Sequence, residues 1–271
     1  VVGTGVAGME AAWIAAARGH EVTAFGRSPA VGGKTRLHSL LPGGESLSSI
    51  YDYQFAAASR AGVRFELGVS ASAADIIALK PAAVVLACGS RMLPPPWLPP
   101  AVRDAGLVPD LRGAMSALLR HATRQSGTAV IFDMDHTEGT YAAAELLHTL
   151  FDRVVVITPR ESIAQATALV TRQGILRRLS EKHIETIALA EPHWNASFDD
   201  GKLEYANVYN GDAGVIENVS FLAYSTPRIP EDMLAGPLRA AGIEVRLVGD
   251  CRTPRGLLAA TSEGHAVGNA I

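Results

Sequence analysis

Gly3, Gly5 and Gly8 are spaced Gly-x-Gly-x-x-Gly, directly after Val1-Val2 and directly before an alanine-rich run that ends at Arg18-Gly19. Strand, tight turn and helix in that order are the context in which this spacing binds a dinucleotide. Gly3 permits the turn, Gly5 lets a pyrophosphate approach the backbone, and Gly8 lets the helix lie close to the strand. The free N–H groups of the first helical turn, from Val6 and Ala7 to Gly8, then face the phosphates at the positive end of the helix dipole. The competing reading is a glycine-rich turn that binds nothing.

Other residues could complete such a site. Pro29-Ala30-Val31-Gly32-Gly33-Lys34 carries a second glycine pair, where Gly33 permits close approach and Lys34 reaches either a phosphate or solvent. Ala82 to Ser90 reads as a buried strand opening into a turn at Cys88-Gly89, with small residues that let backbone pass beside a cofactor. With no histidine or base nearby in sequence, Cys88 reads as a packing residue and not a nucleophile. Gly242 to Asp250 is a strand ending in Gly249-Asp250, and the Asp250 carboxylate there could accept from a ribityl hydroxyl. One position breaks the pattern: the acidic residue that usually holds the adenosine ribose is replaced by Gly26, followed by Arg27. Arg27 either meets an extra phosphate or is a solvated surface arginine.

The elements that must position these residues follow from the pattern of apolar runs. His20 to Phe25 is the second parallel strand, Ser48 to Ala61 a helix, Gly62 to Gly68 a short strand and Ala73 to Ile77 a helical turn. Leu93 to Pro100 holds too many prolines for a helix or a central strand and reads as a stiff connector. A second unit begins near Thr128, where Ala129 to Asp133, Tyr141 to Phe151 and Arg153 to Thr158 repeat the strand, helix, strand order. Their turn, Asp133-Met134-Asp135-His136-Thr137-Glu138-Gly139, carries three carboxylates that would repel a pyrophosphate. It reads as a solvated strand-to-helix turn, with a metal site as the weaker alternative. Gln165 to Glu181 is a helix with Arg172, Arg177 and Arg178 on its polar side, Ile184 to Leu189 a strand, and Leu203 to Tyr209 and Val215 to Ala223 an antiparallel pair. A last helix runs from about Gly256 to Ala270.

The fold class expected is α/β, with two Rossmann-like three-layer domains, the second inserted into the first. The first covers 1–93 and 228–271, a proline-rich connector covers 94–126, and the second covers 127–227. A net charge of −3 and 48% hydrophobic residues give no reason to expect nucleic acid or a membrane as partner. No apolar run approaches the ~20 residues that span a bilayer. Two cysteines far apart in the sequence make no case for a metal cluster, and cytoplasmic residence is the default expectation. Only Val1 and Val2 precede the first glycine, so the natural polypeptide is expected to extend upstream.

Val1 to Ala12, Arg27-Ser28-Pro29 with Gly32-Gly33, Val84 to Gly89, Ala129 to Leu147, and Leu247 to Arg255 with Glu263-Gly264-His265 together resemble the carboxy-terminal half of a flavoprotein oxidoreductase family. Trimethylamine dehydrogenase, histamine dehydrogenase and 2,4-dienoyl-CoA reductase typify it. The terminal block Gly-Asp-x-x-x-Pro-Arg with Glu-Gly-His is the most specific part. In that family an amino-terminal β/α barrel carries FMN and an iron-sulfur cluster, and nothing in this sequence matches it. The resemblance implies that the first domain holds FAD, or ADP in the amine dehydrogenase branch. The acidic second turn departs from the glycine pattern that binds NAD(P)H in the reductase branch. The function expected is therefore the FAD- or ADP-binding portion of an amine-dehydrogenase-like oxidoreductase. The alternatives are an NAD(P)H-dependent FAD reductase unit and a noncatalytic structural module. Cofactor contacts are expected from Gly3, Gly5, Val6, Ala7, Gly8, Arg27, Gly33, Lys34, Cys88, Gly89, Gly249 and Asp250, with no catalytic residue and no metal. The partners expected are the flavin barrel, in the same polypeptide or as a separate subunit, an electron-transfer partner and a second copy of the chain.

Overall fold

The computed structural model of the chain describes every residue except 121 and 122. It forms two units, one made of Val1–Ser39, Glu45–Arg91 and Arg228–Ile271, the other of Leu40–Gly44 and Met92–Pro227. In the first, Val2 bridges Phe25 on one side and Leu86 on the other, both in parallel sense. Helix α1 (Val6–Ala17) follows, buried on most of its circumference, as its run of alanines with Val6, Met9 and Ile14 requires. Then come β1 (Thr23–Gly26), α2 (Gly33–Ser39), α3 (Ser48–Arg60), β2 (Arg64–Leu67), α4 (Ala73–Ala78), β3 (Ala83–Leu86) and β4 (Ser90–Met92). Ser72 and Asp75 start α4 with a reciprocal capping box.

The second unit opens with α5 (Pro100–Asp104) and α6 (Leu111–Leu118). Residues 94–126, read from sequence as a connector, thus carry two helices and bury Leu98, Val108, Leu111 and Met115. Pro100 is compatible with helix because it occupies the first turn, where its missing N–H is not needed. Residues 121 and 122 of that stretch lie outside the described ones. A four-stranded parallel sheet then forms from β5 (Thr128–Asp133), β6 (Arg153–Ile157), β7 (Glu185–Ile187) and β11 (Val219–Ser225), in the order β11-β5-β6-β7. Between β5 and β6 runs α7 (Glu138–Leu150), and between β6 and β7 runs α8 (Leu169–Glu181). Arg178 of α8 turns inward to the buried Glu145 of α7 at 2.8 Å. A separate three-stranded antiparallel sheet comprises β8 (Ala190–His193), β9 (Leu203–Asn207) and β10 (Ala213–Ile216). The run 215–223, expected as one strand, is therefore divided between two sheets. Asn218 sits at φ 56, and this left-handed residue redirects the chain from the antiparallel sheet into the parallel one.

The chain re-enters the first unit at β12 (Arg228–Pro230), which pairs with β4, and ends with α9 (Ala235–Ala240), β13 (Glu244–Leu247) and α10 (Leu257–Ala270). β13 lies parallel to β3, so the first unit's sheet runs β2, β1, Val2, β3, β13. Its layers are clamped by α1 against α10. Gly264 and Gly268, one turn apart, meet Ala7 and Ala11, which share a face of α1. A Cβ on Gly264 would lie 2.3 Å from the Ala7 carbonyl oxygen. Gly264→Ala is expected to lower unfolding free energy by ~1–3 kcal/mol through overpacking. Gly139→Ala, in the first turn of α7 with nothing within 4 Å of the added carbon, should be neutral or stabilising. Urea denaturation of the two variants separates these outcomes.

Candidate functional site

The three fingerprint glycines do different work. At Gly3 (φ +104) a Cβ would lie 2.2 Å from the Ala87 carbonyl oxygen, and at Gly8 it would lie 1.9 Å from the Gly3 carbonyl oxygen. Both are closed by backbone. At Gly5 the same test meets nothing within 4 Å, so the side chain it lacks leaves open space. Gly5 is also the N-cap of α1; no side chain caps that end and no acidic residue lies in the first turn. The N–H groups of Val6, Ala7 and Gly8 precede the first intrahelical bond, Met9 N–H to the Gly5 carbonyl oxygen at 2.9 Å. One flank of the opening is formed by the second glycine pair. Gly32 donates to the Thr4 carbonyl oxygen at 2.8 Å, and a Cβ on Gly33 would lie 3.2 Å from the Gly5 Cα.

On the carboxyl end of β13, Asp250 is enclosed by partners. Its Oδ2 accepts from Lys34 Nζ at 2.5 Å, Ser90 Oγ at 2.8 Å and Arg228 Nη1 at 2.8 Å. Its Oδ1 accepts from the Arg255 backbone N–H at 3.2 Å. The Asp250 and Arg228 side chains are 6% and 9% exposed. Burial opposes the Asp250 charge, but the Lys34 ammonium, the Ser90 hydroxyl and the Arg228 guanidinium outweigh it and hold the carboxyl below its ordinary range. The expected ribityl acceptor is thus already an internal one, and Lys34, expected at a phosphate or in solvent, is its ion-pair partner. Neither Ser90 nor Arg228 was marked by sequence spacing. Gly249 (φ +61) packs on Ala7, and Glu263 accepts from the Gly249 N–H at 2.8 Å, so the Glu-Gly-His block ties α10 to the same strand tip.

Gly26 ends β1 where the acidic residue was expected. A Cβ there would lie 2.4 Å from Thr4 Oγ1 and 2.9 Å from Leu67 Cδ2, so the buried Thr4 hydroxyl occupies that space. Arg27 is exposed. Gly89 (φ +86) has open space beside it, while the half-buried Cys88 points its sulfur at the Val2 carbonyl oxygen, 3.7 Å away.

The second unit's turn is filled by side chains. Asp133, expected in a solvated turn, is wholly buried at the tip of β5; its Oδ2 accepts from Tyr141 Oη at 2.6 Å and its Oδ1 from the His136 N–H at 3.0 Å. Burial pushes the Asp133 carboxyl up despite His136, and pushes the His136 imidazole down despite Asp133. Thr140 and Ser225 share a hydroxyl hydrogen bond of 2.7 Å at the tip of β11. Among the described residues no cluster of three or more His, Cys, Asp and Glu gathers as a metal site.

A parallel sheet with a glycine turn opening into a helix defines the first unit as a Rossmann-type nucleotide-binding fold. The profile of the NAD(P)-binding Rossmann-like domain family matches residues 1–74. The probable N-methylproline demethylase of Rhizobium meliloti is 34% identical over 182 residues, 66% of this chain and 26% of that protein. Histamine dehydrogenase from a Rhizobium species superposes with a TM-score of 0.84 at 24% identity, over 100% of this chain and 43% of that one. Thioredoxin reductase of Lactococcus lactis superposes at 0.66 with 17% identity, over 99% of this chain and 95% of the other. These matches are consistent with the carboxy-terminal nucleotide-binding half of the trimethylamine dehydrogenase, histamine dehydrogenase and dienoyl-CoA reductase family. The chain spans about a quarter of the N-methylproline demethylase it matches.

Two outcomes follow for stability. Gly26→Glu is expected to cost ~1–3 kcal/mol by overpacking, and Thr4→Ala in the same chain should recover much of it; thermal unfolding of the single and double variants reads this. Asp250 has a folded-state pKa below its unfolded value, so its ion cluster stabilises above pH ~4 and loses that contribution as pH falls through the folded value. A stability profile from pH 7 downward should therefore be flatter in Asp250→Asn than in the unmodified chain.

Proposed function

We propose that the first unit binds the ADP moiety of a nucleotide, as ADP itself or within FAD, and serves as the nucleotide-binding portion of a flavin-dependent oxidoreductase of amine dehydrogenase type. The observation that carries this is Gly5: a position with no side chain, open space beyond it, and uncapped N–H groups of α1 beside it. Those N–H groups take the pyrophosphate, with Gly33 flanking. Gly89, at the tip of β3, leaves room for the nucleotide to pass.

FAD, where bound, supplies electron transfer; the chain's own residues bind, orient and exclude water. Asp250 favours ADP over FAD, because a ribityl hydroxyl would compete with Lys34, Ser90 and Arg228 for one carboxylate. The second unit is given no nucleotide in this reading, since the buried Asp133, Tyr141, Thr140 and Ser225 side chains fill its strand tips. The chain covers a minor share of its relatives' length, so the partner proposed is the flavin-bearing remainder of such a protein. Among the described residues no helix is long and apolar enough to cross a membrane.

Acid extraction of the purified chain, followed by chromatography, is expected to release ADP. With ADP at a hundred times its dissociation constant, stability should rise by ~2.7 kcal/mol. Gly5→Ala should keep its own stability within ~1 kcal/mol, the cost of a poorer N-cap, yet bind at least ~10-fold more weakly. No nucleotide recovered or bound after incubation with millimolar ADP or FAD would overturn the proposal.

A further inference from the structure

β1 ends at Gly26, the position from which an acidic side chain ordinarily takes the adenosine ribose hydroxyls. A side chain has no room there, because its Cβ would lie 2.4 Å from Thr4 Oγ1 and 2.9 Å from Leu67 Cδ2. Leu67 stands opposite Gly26 in the register of β1 and β2, so Glu66, the carboxylate of β2, alternates to the other face of the sheet. The wall at this strand tip is therefore a hydroxyl and a methyl group, with no carboxylate. Thr4 is 6% exposed, and its hydroxyl makes no hydrogen bond among the described residues. A buried hydroxyl turned to the ribose position and left without a partner is poised for a ligand oxygen.

The two residues after Gly26 add donors at the same tip. Arg27 is exposed and makes neither a hydrogen bond nor an ion pair among the described residues. Ser28 is exposed as well; its Oγ accepts from the Ala30 N–H at 3.4 Å, which leaves its own O–H to donate. Their loop is pinned at both ends. The Val69 N–H donates to the Gly26 carbonyl oxygen at 3.0 Å and the Gly68 N–H to the Ser28 carbonyl oxygen at 3.1 Å, while Gly32 is bonded to Thr4. Arg27 and Ser28 are thereby held at the strand tip that Thr4 lines.

A carboxylate at the end of this strand does two things: it accepts from the ribose hydroxyls and it repels a phosphate placed on them. Here the repulsion is gone, and a guanidinium whose planar fork matches a phosphate stands beside the gap. We propose that this end of the site accepts an adenosine whose ribose carries a 2′-phosphate and prefers it to the unphosphorylated form. Arg27 and Ser28 donate to the phosphate, and the Thr4 hydroxyl meets a ribose oxygen. Seating the adenosine there rests on a pyrophosphate lying over Gly5, as in the nucleotide site already proposed. ADP remains a ligand; its 2′-phosphorylated relatives gain contacts where a carboxylate would have cost them.

ADP-ribose and 2′-phospho-ADP-ribose differ by that one phosphate and carry neither flavin nor nicotinamide. Each is titrated by calorimetry into the purified chain after bound nucleotide has been dialysed away. The phosphorylated ligand is expected to bind roughly tenfold more tightly at low salt, the worth of a charge-assisted hydrogen bond. That advantage should shrink as sodium chloride is raised. Arg27→Ala should bring the two dissociation constants close together, and Thr4→Ala combined with Gly26→Glu, which returns a carboxylate to the tip of β1, should reverse their order. Binding of ADP-ribose as tightly as the phosphorylated ligand, or a preference that survives Arg27→Ala, would overturn the 2′-phosphate assignment and leave the nucleotide site standing. Binding of neither ligand would overturn both. The unmodified chain gives the first comparison by itself, so a folding defect in the double variant leaves it decisive.

Discussion

One carboxylate oxygen holds the first unit to its shape. Asp250 Oδ2 draws in Lys34 from the start of α2, Ser90 from β4 and Arg228 from β12. These residues are widely separated in sequence, and each stands where the chain turns toward or away from the sheet tips. Ionising a carboxyl at 6% exposure is costly unless it is paired, and here cations and a hydroxyl meet that cost. Removing a partner would leave a buried charge uncompensated, so the cluster fixes geometry even where its net contribution to stability is small. The glycine turn over Gly5 and the tip carrying Gly89 are both anchored through it.

Around that anchor, the clearance between backbone segments decides what each small residue does. Gly3, Gly8, Gly264 and Gly268 are shut against carbonyl oxygens or side chains at less than 3 Å, and they exist so that α1, β3 and α10 can touch. Gly5 and Gly89 face outward into unfilled space. The spacing pattern cannot distinguish the two kinds, because it records where glycine occurs and not what stands opposite. This is why the turn was legible from sequence while the division of labour within it was not.

Local signals were read well for the same reason. Strand, turn and helix around residues 2–17, the helix over 48–60 and the strands at 128–133 and 153–157 depend on neighbours in the chain. What escaped depends on residues brought in from elsewhere. Arg228 carries no spacing relation to Asp250, yet its guanidinium donates to that carboxylate. Thr4 was an unremarked residue between two glycines, yet its hydroxyl fills the space beside Gly26. Asp133 was read as solvated because acidic turns usually are, and Tyr141 and the His136 N–H supply the partners that let it go inside. The left-handed Asn218 divided an apparently continuous strand, a backbone choice that side-chain periodicity does not encode.

The paired strands β4 and β12 have an architectural consequence. They flank the long excursion of the chain from the first unit, and they lie hydrogen-bonded to each other. Just past them the Leu93 N–H donates to the Pro227 carbonyl oxygen at 3.2 Å, so the two chain crossings remain neighbours. The two ends of a span of more than a hundred residues are therefore held side by side, as in a hairpin stem. A short loop across that stem would close the first unit without stretching it. Such a joint lets an intervening module be gained, lost or exchanged over evolutionary time while the host scaffold keeps its own topology.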